Sequence, residues 1–293
     1  MTSVDDVVAP TPGGLPVVMG IVNVTPDSFS DGGRFESIDA AVKRGALLWE
    51  QGAAVVDVGG ESTRPGAGRV SAEVELLRVL DVVTELSSAG VVVSVDTTRA
   101  SVARRCVDAG ATVVNDVSGG LADPAMADVV ADSGAVWVLN HSRGTSRDMY
   151  ASAVYTDVVS EVRDELVMRV EDAVNSGVPQ SSLILDPGLG FAKYGRQNWD
   201  LLAHLDVLVD LGLPVLVGAS RKRFLAAAIR GGEHRAATDR DDATVAVTIA
   251  AALAGVWGVR VHQASASVDA IAVLSHLRHG VETEVGGRGR VPR

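Results

Sequence analysis

Three polar side chains with complementary hydrogen-bonding groups follow apolar runs at separate points of the chain. Asp96, Asn115 and Asp186 each stand at the end of a short stretch rich in Val, Ile or Leu. A carboxylate accepts two parallel hydrogen bonds from an amidine-like edge, so this set suits a flat heterocycle with amino and ring N–H donors. Two carboxylates are also suited to a divalent metal ion, and the residue types alone leave that alternative open.

A second set of chemically suited residues lies near the end of the chain and is mostly cationic. Its members are Ser220, Arg221, Lys222, Arg260 and His262. The first three follow a glycine at the start of a predicted helix, which is typical of an anion site. Arg260 ends an apolar run, where a solvated surface cation is not expected. The set predicts that an anionic group binds here.

The overall charge excludes some classes of partner. The chain has 293 residues, with 26 Lys and Arg against 37 Asp and Glu, and a net charge of −11. A protein that binds nucleic acid along its surface is expected to be basic, so we expect no nucleic acid. The longest uncharged stretch, residues 243–259, is rich in Ala, Thr and Gly. It is more typical of a buried helix and strand than of a membrane span, so we expect no membrane partner.

Cysteine usage and the two ends of the chain bear on the compartment. Cys106 is the only cysteine, which indicates a reducing environment. The N-terminus shows no basic flank followed by an apolar run, so we expect a cytoplasmic protein. We expect residues 1–14 to be flexible and the Gly- and Arg-containing residues 282–293 to form a disordered tail.

The elements that must position these residues alternate along the chain. Short Val- and Ile-rich runs are typical of parallel strands buried on both faces, and there are eight: 17–22, 54–58, 91–95, 112–115, 135–139, 183–185, 214–217 and 256–261. Segments with helical periodicity lie between them, and several end in glycine. This alternation predicts an α/β fold, a single (β/α)₈ TIM barrel over residues 15–281. A doubly wound open sheet is the alternative, but its glycine fingerprint is missing after the first strand.

In such a barrel the residues that follow the strands meet at one rim. One Asp or Asn before a helix is more often a cap, but polar groups after all the strands are hard to explain by capping. We therefore predict an active site at the C-terminal ends of the strands. Residues 25–33 and 61–70 form long loops at this mouth. Phe29 in the first loop suggests a lid that packs on a ligand, with a rigid turn as the alternative.

Seven motifs, taken together and in order, resemble those of the dihydropteroate synthases. They are Asn-Val-Thr-Pro-Asp-Ser-Phe-Ser-Asp-Gly-Gly at 23–33, Glu-Ser-Thr-Arg-Pro-Gly-Ala at 61–67, Ser-Val-Asp-Thr at 94–97, Asn-Asp-Val-Ser-Gly-Gly at 115–120, Asp-Pro-Gly-Leu-Gly-Phe at 186–191, Gly-Ala-Ser-Arg-Lys-Arg-Phe at 218–224 and Arg-Val-His at 260–262. Bacterial members, especially actinobacterial ones, look most similar.

The resemblance implies a transferase of folate biosynthesis. In the family's reaction, the amine of 4-aminobenzoate displaces diphosphate from (7,8-dihydropterin-6-yl)methyl diphosphate and gives 7,8-dihydropteroate. The resemblance also implies Mg²⁺ as a cofactor, a homodimer, and an aminobenzoate site that sulfonamides target.

The resemblance further implies a role for each site residue. The pterin would be bound by Asp96, Asn115, Asp186 and Lys222. The diphosphate would be bound by Asn23, Arg260 and His262, with Asn23 also meeting Mg²⁺. The aminobenzoate site and lids would comprise Phe29, Asp31, Thr63, Arg64, Pro65, Phe191 and Ser220. The catalytic residues would be Lys222, Arg260, His262 and Asp96, acting where charge develops as the C–O bond breaks, and no general base is named.

The chain departs from the family after its fifth strand. Many relatives have Met before the histidine, where this chain has Asn140 before His141, and Val154 replaces the family's Pro in the following loop. A thioether suits the face of a flat ring, whereas an amide must find hydrogen-bond partners. Because other residues already cover the pterin edge, we expect Asn140 to turn aside to the loop at 142–146.

Two other functions stay open from the sequence. A folate-binding methyltransferase domain shares the barrel and an Asn/Asp pterin pocket, but it should lack the Ser-Arg-Lys motif and the Phe29 lid. A non-catalytic paralogue would keep the fold as a binding protein. The presence of Asn23, Lys222, Arg260 and His262 counts against the second possibility.

Overall fold

The computed structural model describes residues 7–8, 14–24, 34–61, 68–143, 152–232 and 235–279. In this part of the chain the strands are β1 (Val17–Asn23), β2 (Val55–Gly59), β3 (Val93–Asp96), β4 (Val113–Asp116), β5 (Val136–Asn140), β6 (Leu183–Asp186), β7 (Leu216–Val217) and β8 (Gly258–Val261). The helices are α1 (Arg34–Glu50), α2 (Ala72–Ser88), α3 (Ala100–Asp108), α4 (Met126–Ser133), α5 (Val158–Asn175), α6 (Gly195–Ala203), α7 (Asp206–Val209), α8 (Arg223–Ala226), α9 (Asp241–Leu253) and α10 (Ala264–His279).

The strands form one parallel sheet that curls into a barrel. Neighbours follow the order β6-β5-β4-β3-β2-β1-β8-β7. A parallel bridge between Leu185 and Val215 joins the two ends of this order. The predicted (β/α)₈ TIM barrel is confirmed, and the open sheet is excluded.

Local sequence signals account for where several helices begin and end. Ser71 caps α2, because its side chain accepts a hydrogen bond from the backbone N–H of Val74. Asp157 caps α5 in the same way. Gly134 ends α4 at a φ of 67°, a conformation that glycine adopts without steric cost. Between β6 and β7 the chain forms two helices, α6 and α7, with an interruption at residues 204–205.

Side chains alternate between the inside of the barrel and the layer beneath the helices. The inner cluster is apolar and comprises Val7, Met19, Val55, Val113, Val136, Val138, Ile184, Leu216 and Trp257. Because alternate residues of a strand share a face, the residues two positions further along these strands also point inward. They include Asp57, Asn115, Asn140 and Asp186, which form the polar upper layer above the apolar one.

The two chain ends for which we expected flexibility or disorder lie mostly outside the described residues. Val7 packs in the inner apolar cluster, while the predicted disordered tail at 282–293 lies outside the described residues. The uncharged stretch at 243–259 forms most of α9 and the start of β8. No helix in the described part of the chain has the length and apolar character that crossing a membrane requires.

Candidate active site

An ion-pair network lies at the centre of the barrel mouth. Arg260 on β8 donates from Nε to Oδ2 of Asp57 at 2.6 Å and from Nη2 to Oδ2 of Asp96 at 2.7 Å. Asn115 on β4 donates from Nδ2 to the same Asp57 oxygen at 2.9 Å. Asp57 is completely buried. A single carboxylate therefore orients one residue of the predicted diphosphate site and one of the predicted pterin site.

Asp57 is not among the site residues that the sequence predicts. It lies inside the second apolar run, at residues 54–58, which is typical of a strand in the core. The available signal was its position, since an Asp among buried valines must have a polar partner inside the protein.

Burial raises the pKa of the Asp96 carboxyl group and lowers the pKa of the Arg260 guanidinium group, and the charge of each opposes the effect on the other. Burial raises the pKa of Asp96 to about 7, although Arg260 opposes the shift, and the nearby Asp57 adds to it. Burial lowers the pKa of Arg260, but Asp57 and Asp96 outweigh it and raise the value above the ordinary one. Asp96 can therefore gain or lose a proton near neutral pH while Arg260 stays charged.

Lys222 and Asp186 lie on the other side of the mouth. Lys222 donates from Nζ to the backbone oxygen of Leu189, and Nζ lies 4.6 Å from the centroid of the Phe191 ring. Burial lowers the pKa of Lys222 to about 8, and Asp186 opposes this shift. Burial raises the pKa of Asp186, and Lys222 and the backbone N–H of Gly188 oppose that shift. Lys222 and Asp186 thus each stabilise the charged form of the other.

Gly218 keeps an open space between the two sides of the mouth. A Cβ at this position would lie 3.6 Å from Oδ2 of Asp186, 3.9 Å from Cβ of Arg260 and 4.0 Å from Nζ of Lys222. The structure therefore brings these three predicted residues together around one small volume, and Asp96 and Asn115 join them through the Arg260 network.

The predicted diphosphate residues are found along one side of this rim. Asn23 ends β1 with its side chain exposed. His262 follows β8, and its Nδ1 lies 2.9 Å from Oγ of Ser220, which also accepts a hydrogen bond from the backbone N–H of His262. Arg44 donates to the backbone oxygen of His262. Ser220 thus fixes the imidazole that the sequence assigns to the anion site.

Arg221 does not join the anion site that the sequence predicted for it. Its guanidinium donates from Nε and Nη2 to the two carboxylate oxygens of Asp241 on α9, each at 2.7 Å. Its backbone has a φ of 58°, in the left-handed region. In this conformation Arg221 reaches α9, while the adjacent Lys222 lies in the mouth.

The contact expected of Asn140 falls mostly outside the described part of the chain, because residues 144–146 of the loop at 142–146 are not described. Its side chain is 3 % exposed, and Oδ1 is buried without a hydrogen-bond partner in the described part of the chain. The amide lies against Gly188, where a Cβ would approach Oδ1 to 2.7 Å. Ser142, the first residue of the loop toward which Asn140 was expected to turn, is described and gives it no hydrogen bond. Asn140 lies on the inner face, opposite Asp186 in the strand register.

Several predicted residues of the aminobenzoate site lie outside the described part of the chain. They are Phe29, Asp31, Thr63, Arg64 and Pro65. Glu61, at the start of the second mouth loop, is held by Arg99 from Nη1 at 2.9 Å and by Arg69 from Nε at 3.2 Å. The base of that loop is therefore fixed by ion pairs that the sequence interpretation did not identify.

Comparisons with known proteins indicate the family of this chain. A sequence model of the family described as "Pterin binding enzyme" matches residues 19–262. The chain is 53% identical over 265 residues to dihydropteroate synthase of Mycobacterium leprae, covering 89% of this chain and 93% of that protein. It is 40% identical over 268 residues to dihydropteroate synthase of Staphylococcus haemolyticus, covering 89% and 97%.

Solved structures give the same result. Xanthomonas albilineans dihydropteroate synthase with 4-aminobenzoic acid has a TM-score of 0.84 and 44% identity, covering 90% of this chain and 94% of that one. The same enzyme in complex with 7,8-dihydropteroate has a TM-score of 0.81 and 41% identity, with the same coverage. The family model, the sequence identity and the shared barrel together show that this chain belongs to the dihydropteroate synthase family of pterin-binding enzymes.

Proposed function

We propose that this barrel catalyses the reaction of its family. The amine of 4-aminobenzoate displaces diphosphate from (7,8-dihydropterin-6-yl)methyl diphosphate, and the products are 7,8-dihydropteroate and diphosphate. The observation that carries the proposal is the convergence of Asp186, Lys222 and Arg260 around Gly218, linked to Asp96 and Asn115. Relatives of this family with 53% and 40% identity, and a solved relative with the reaction product, support it.

The upper layer of the barrel supplies the groups that a pterin requires. Asp186 and Asn115 offer acceptors and an amide on neighbouring inner positions, and Asp96 adds a carboxyl whose pKa is about 7. The amino and ring N–H groups of a pterin are donors that pair with carboxylates. This assignment favours the heterocycle over the alternative of a metal ion held by carboxylates alone.

The cationic side of the mouth suits the leaving group. When the C–O bond breaks, its electron pair leaves with the diphosphate, and the pterin stabilises the carbon cation that remains. Arg260 is oriented by Asp57 and Asp96, and a guanidinium has more N–H donors than these two bonds use. Arg260 and His262 therefore act where negative charge grows, which lowers the barrier more than it favours substrate binding.

The aromatic amine then completes the reaction. Its lone pair forms the new C–N bond with the cationic carbon, and the ammonium proton is lost to water or to the departing diphosphate. We assign no general base. Lys222 is held over Phe191 and against Leu189, and we propose that it contacts the reacting edge of the pterin.

We propose that Mg²⁺ assists the leaving group and meets the protein at Asn23. In the described residues no group of three or more His, Cys, Asp or Glu side chains is placed to hold a metal ion. The exposed amide oxygen of Asn23 is a hard ligand of the kind that Mg²⁺ accepts, and Mg²⁺ is commonly held by few protein groups together with substrate phosphates. When bound, the metal supplies charge neutralisation at the diphosphate.

We propose that 4-aminobenzoate binds beside Phe191 and Ser220, beneath the loops at 25–33 and 61–70. Phe29, Asp31, Thr63, Arg64 and Pro65 of those loops complete the site in this proposal. Support comes from the fixed base of the second loop at Glu61 and from a solved relative with 4-aminobenzoic acid. A Yersinia pestis relative has been solved as a sulfonamide complex, so we also propose that sulfonamides compete for this site.

We propose that the protein is a cytoplasmic homodimer. Leu253 at the end of α9 and the pair Val273 and Leu277 on α10 are strongly exposed apolar side chains on two adjacent helices. Exposed apolar surface of this kind is typical of an interface. The single buried Cys106 suits a reducing compartment. Sedimentation of the wild type and of Leu277→Glu tests the dimer, since the variant should be monomeric.

The proposed reaction is tested by incubating the purified protein with both substrates and Mg²⁺ and identifying the product by mass. We expect 7,8-dihydropteroate from the wild type. Lys222→Ala should fold normally and lose at least ~10²-fold in turnover, because a contact at the reacting edge is lost. Wild-type protein that binds a pterin but makes no product would support the non-catalytic paralogue instead.

A further inference from the structure

A second lysine, Lys193, lies near the active-site mouth and has no part in the proposed reaction. Lys193 stands between β6 and α6 and is 2 % exposed. Burial lowers its pKa well below the ordinary value, and Asp186 opposes the shift. A buried ammonium group is costly unless its hydrogen bonds are satisfied, so its contacts identify what it holds.

The ammonium group of Lys193 ties together the loop that follows β6. Nζ donates to the backbone oxygen of Gly188 at 3.1 Å and to the backbone oxygen of Phe191 at 3.0 Å. Both ends of the segment 188–191 are thereby bound to one cation. Ala192, the next residue, has a φ of 47°, which a residue with a Cβ seldom adopts without outside contacts.

The same ammonium group is anchored to the loop after β5. Nζ lies 2.9 Å from Nδ1 of His141, whose Nε2 lies 3.0 Å from Oε2 of Glu165 on α5. Burial lowers the pKa of His141 to about 3, and the charge of Lys193 adds to that shift. The imidazole is therefore neutral, with Nδ1 accepting from Lys193 and Nε2–H donating to Glu165. The loop is fastened to a helix through this chain of contacts.

Lys222 rests on the segment that Lys193 ties down. Its Nζ donates to the backbone oxygen of Leu189 and lies over the Phe191 ring. A Cβ added at Gly190 would lie 3.0 Å from Cδ of Lys222. The aliphatic part of the lysine side chain therefore runs directly along the loop backbone. Three successive loop residues thus define where the catalytic lysine can lie.

We propose that Lys193 is a positioning residue, which fixes residues 188–191 and through them places Lys222 at the pterin. The inference rests on the proposed function, because Lys222 matters only if a pterin binds in the mouth. Lys193 itself touches neither substrate. Its removal releases both ends of the segment and takes one donor from the backbone oxygens of Gly188, Phe191 and His141 and from Nδ1 of His141.

A double-mutant cycle tests this dependence. The dissociation constant for 7,8-dihydropteroate is measured by calorimetry for the wild type, Lys193→Met, Lys222→Met and the double variant. We expect Lys193→Met to weaken binding by ~10-fold. The double variant should be no more than ~3-fold weaker than Lys222→Met, since residues that act through one another are not additive. If the two single losses multiply in the double variant, the inference is overturned.

Two controls separate positioning from loss of folding. Val83→Ala removes methyl groups from a fully buried position on α2 and should lower the melting temperature while changing pterin affinity by less than ~2-fold. Equal weakening by Val83→Ala and Lys193→Met would overturn the inference. If Lys193→Met does not fold, Lys193→Gln, which keeps an N–H donor, is carried through the same cycle with the same criterion. Wild-type protein that binds no pterin would instead contradict the proposed function.

Discussion

Asp57 and Arg260 form an ion pair inside the barrel, with Oδ2 of the buried carboxylate 2.6 Å from Nε of the guanidinium. The same oxygen accepts a hydrogen bond from Asn115. The residue proposed to face the leaving group and the residue proposed to bind the pterin therefore share one support.

Asp57→Asn should impair both stability and catalysis. The change leaves Arg260 without its most buried partner, and breaking such a pair costs ~3 kcal/mol of unfolding free energy. Misplacement of the guanidinium should lower kcat/KM by ~10²-fold. Urea unfolding and steady-state kinetics measure the two effects.

The matched control for Asp57→Asn is Asp132→Asn, which breaks an exposed ion pair with Arg104. It should change the unfolding free energy by less than ~1 kcal/mol and leave kcat/KM unchanged. Comparable losses in the two variants would mean that the position of Asp57 in the barrel is unimportant.

Activity should depend on pH in a bell-shaped manner. Asp96, with a pKa of about 7, must lose its proton to accept from the pterin, and Lys222, with a pKa of about 8, must keep its proton. We therefore expect kcat/KM to rise as the pH approaches about 7 and to fall above about 8. Lys222→Arg should remove the alkaline limb, and an unchanged alkaline limb would contradict the assignment.

The raised pKa of Asp96 also bears on stability. A folded-state value above the unfolded value favours the protonated carboxyl, so this contribution is complete below about pH 4 and is lost as the pH rises through about 7. Asp96→Asn should therefore flatten that part of the stability profile.

Asn140→Met should stabilise the protein and strengthen pterin binding. The buried Oδ1 has no partner in the described residues, and an unsatisfied acceptor of this kind costs ~1–3 kcal/mol. A thioether at the same place removes that cost and packs on a flat ring, which should lower the pterin dissociation constant by up to ~5-fold. A loss of ~10-fold or more in the Met variant would show instead that Asn140 hydrogen-bonds the ligand.

Binding of 4-aminobenzoate should be ordered. In the proposed function, 4-aminobenzoate binds with both mouth loops, and we expect those loops to require a charged ligand at Asn23, Arg260 and His262. Calorimetry should show weak binding to the free protein and at least ~10-fold tighter binding when pterin, diphosphate and Mg²⁺ are present. Equal affinities with and without diphosphate would exclude this coupling.

The sequence was sufficient for the barrel because its signals are local and repeated. Apolar runs ending in Asp96, Asn115 and Asp186 indicated strands and mouth positions together, and the alternation of elements determined the closure. The pairing of charged side chains inside and around the barrel could not be predicted in this way. Which partner Arg260 selects, and whether Arg221 faces the mouth or α9, depends on side-chain directions that strand and helix periodicity do not specify.

Lys193 illustrates the same limit more sharply. As a sequence feature it is one cation in a glycine-containing loop, and its burial follows only once the segments after β5 and β6 bring His141 and the loop carbonyls around it. Asn140 shows the converse case. Its departure from the family's pattern was visible in the sequence, but its unpartnered oxygen against Gly188 is visible only in the structure.

We propose that the mouth joins 4-aminobenzoate to a pterin as diphosphate departs, and this reaction can be followed by measuring diphosphate release. The purified protein is given (7,8-dihydropterin-6-yl)methyl diphosphate and Mg²⁺, and release is followed with and without 4-aminobenzoate. We predict that diphosphate appears in step with added 4-aminobenzoate, mole for mole with 7,8-dihydropteroate. Release that is absent, or that proceeds at the same rate without 4-aminobenzoate, would contradict the account.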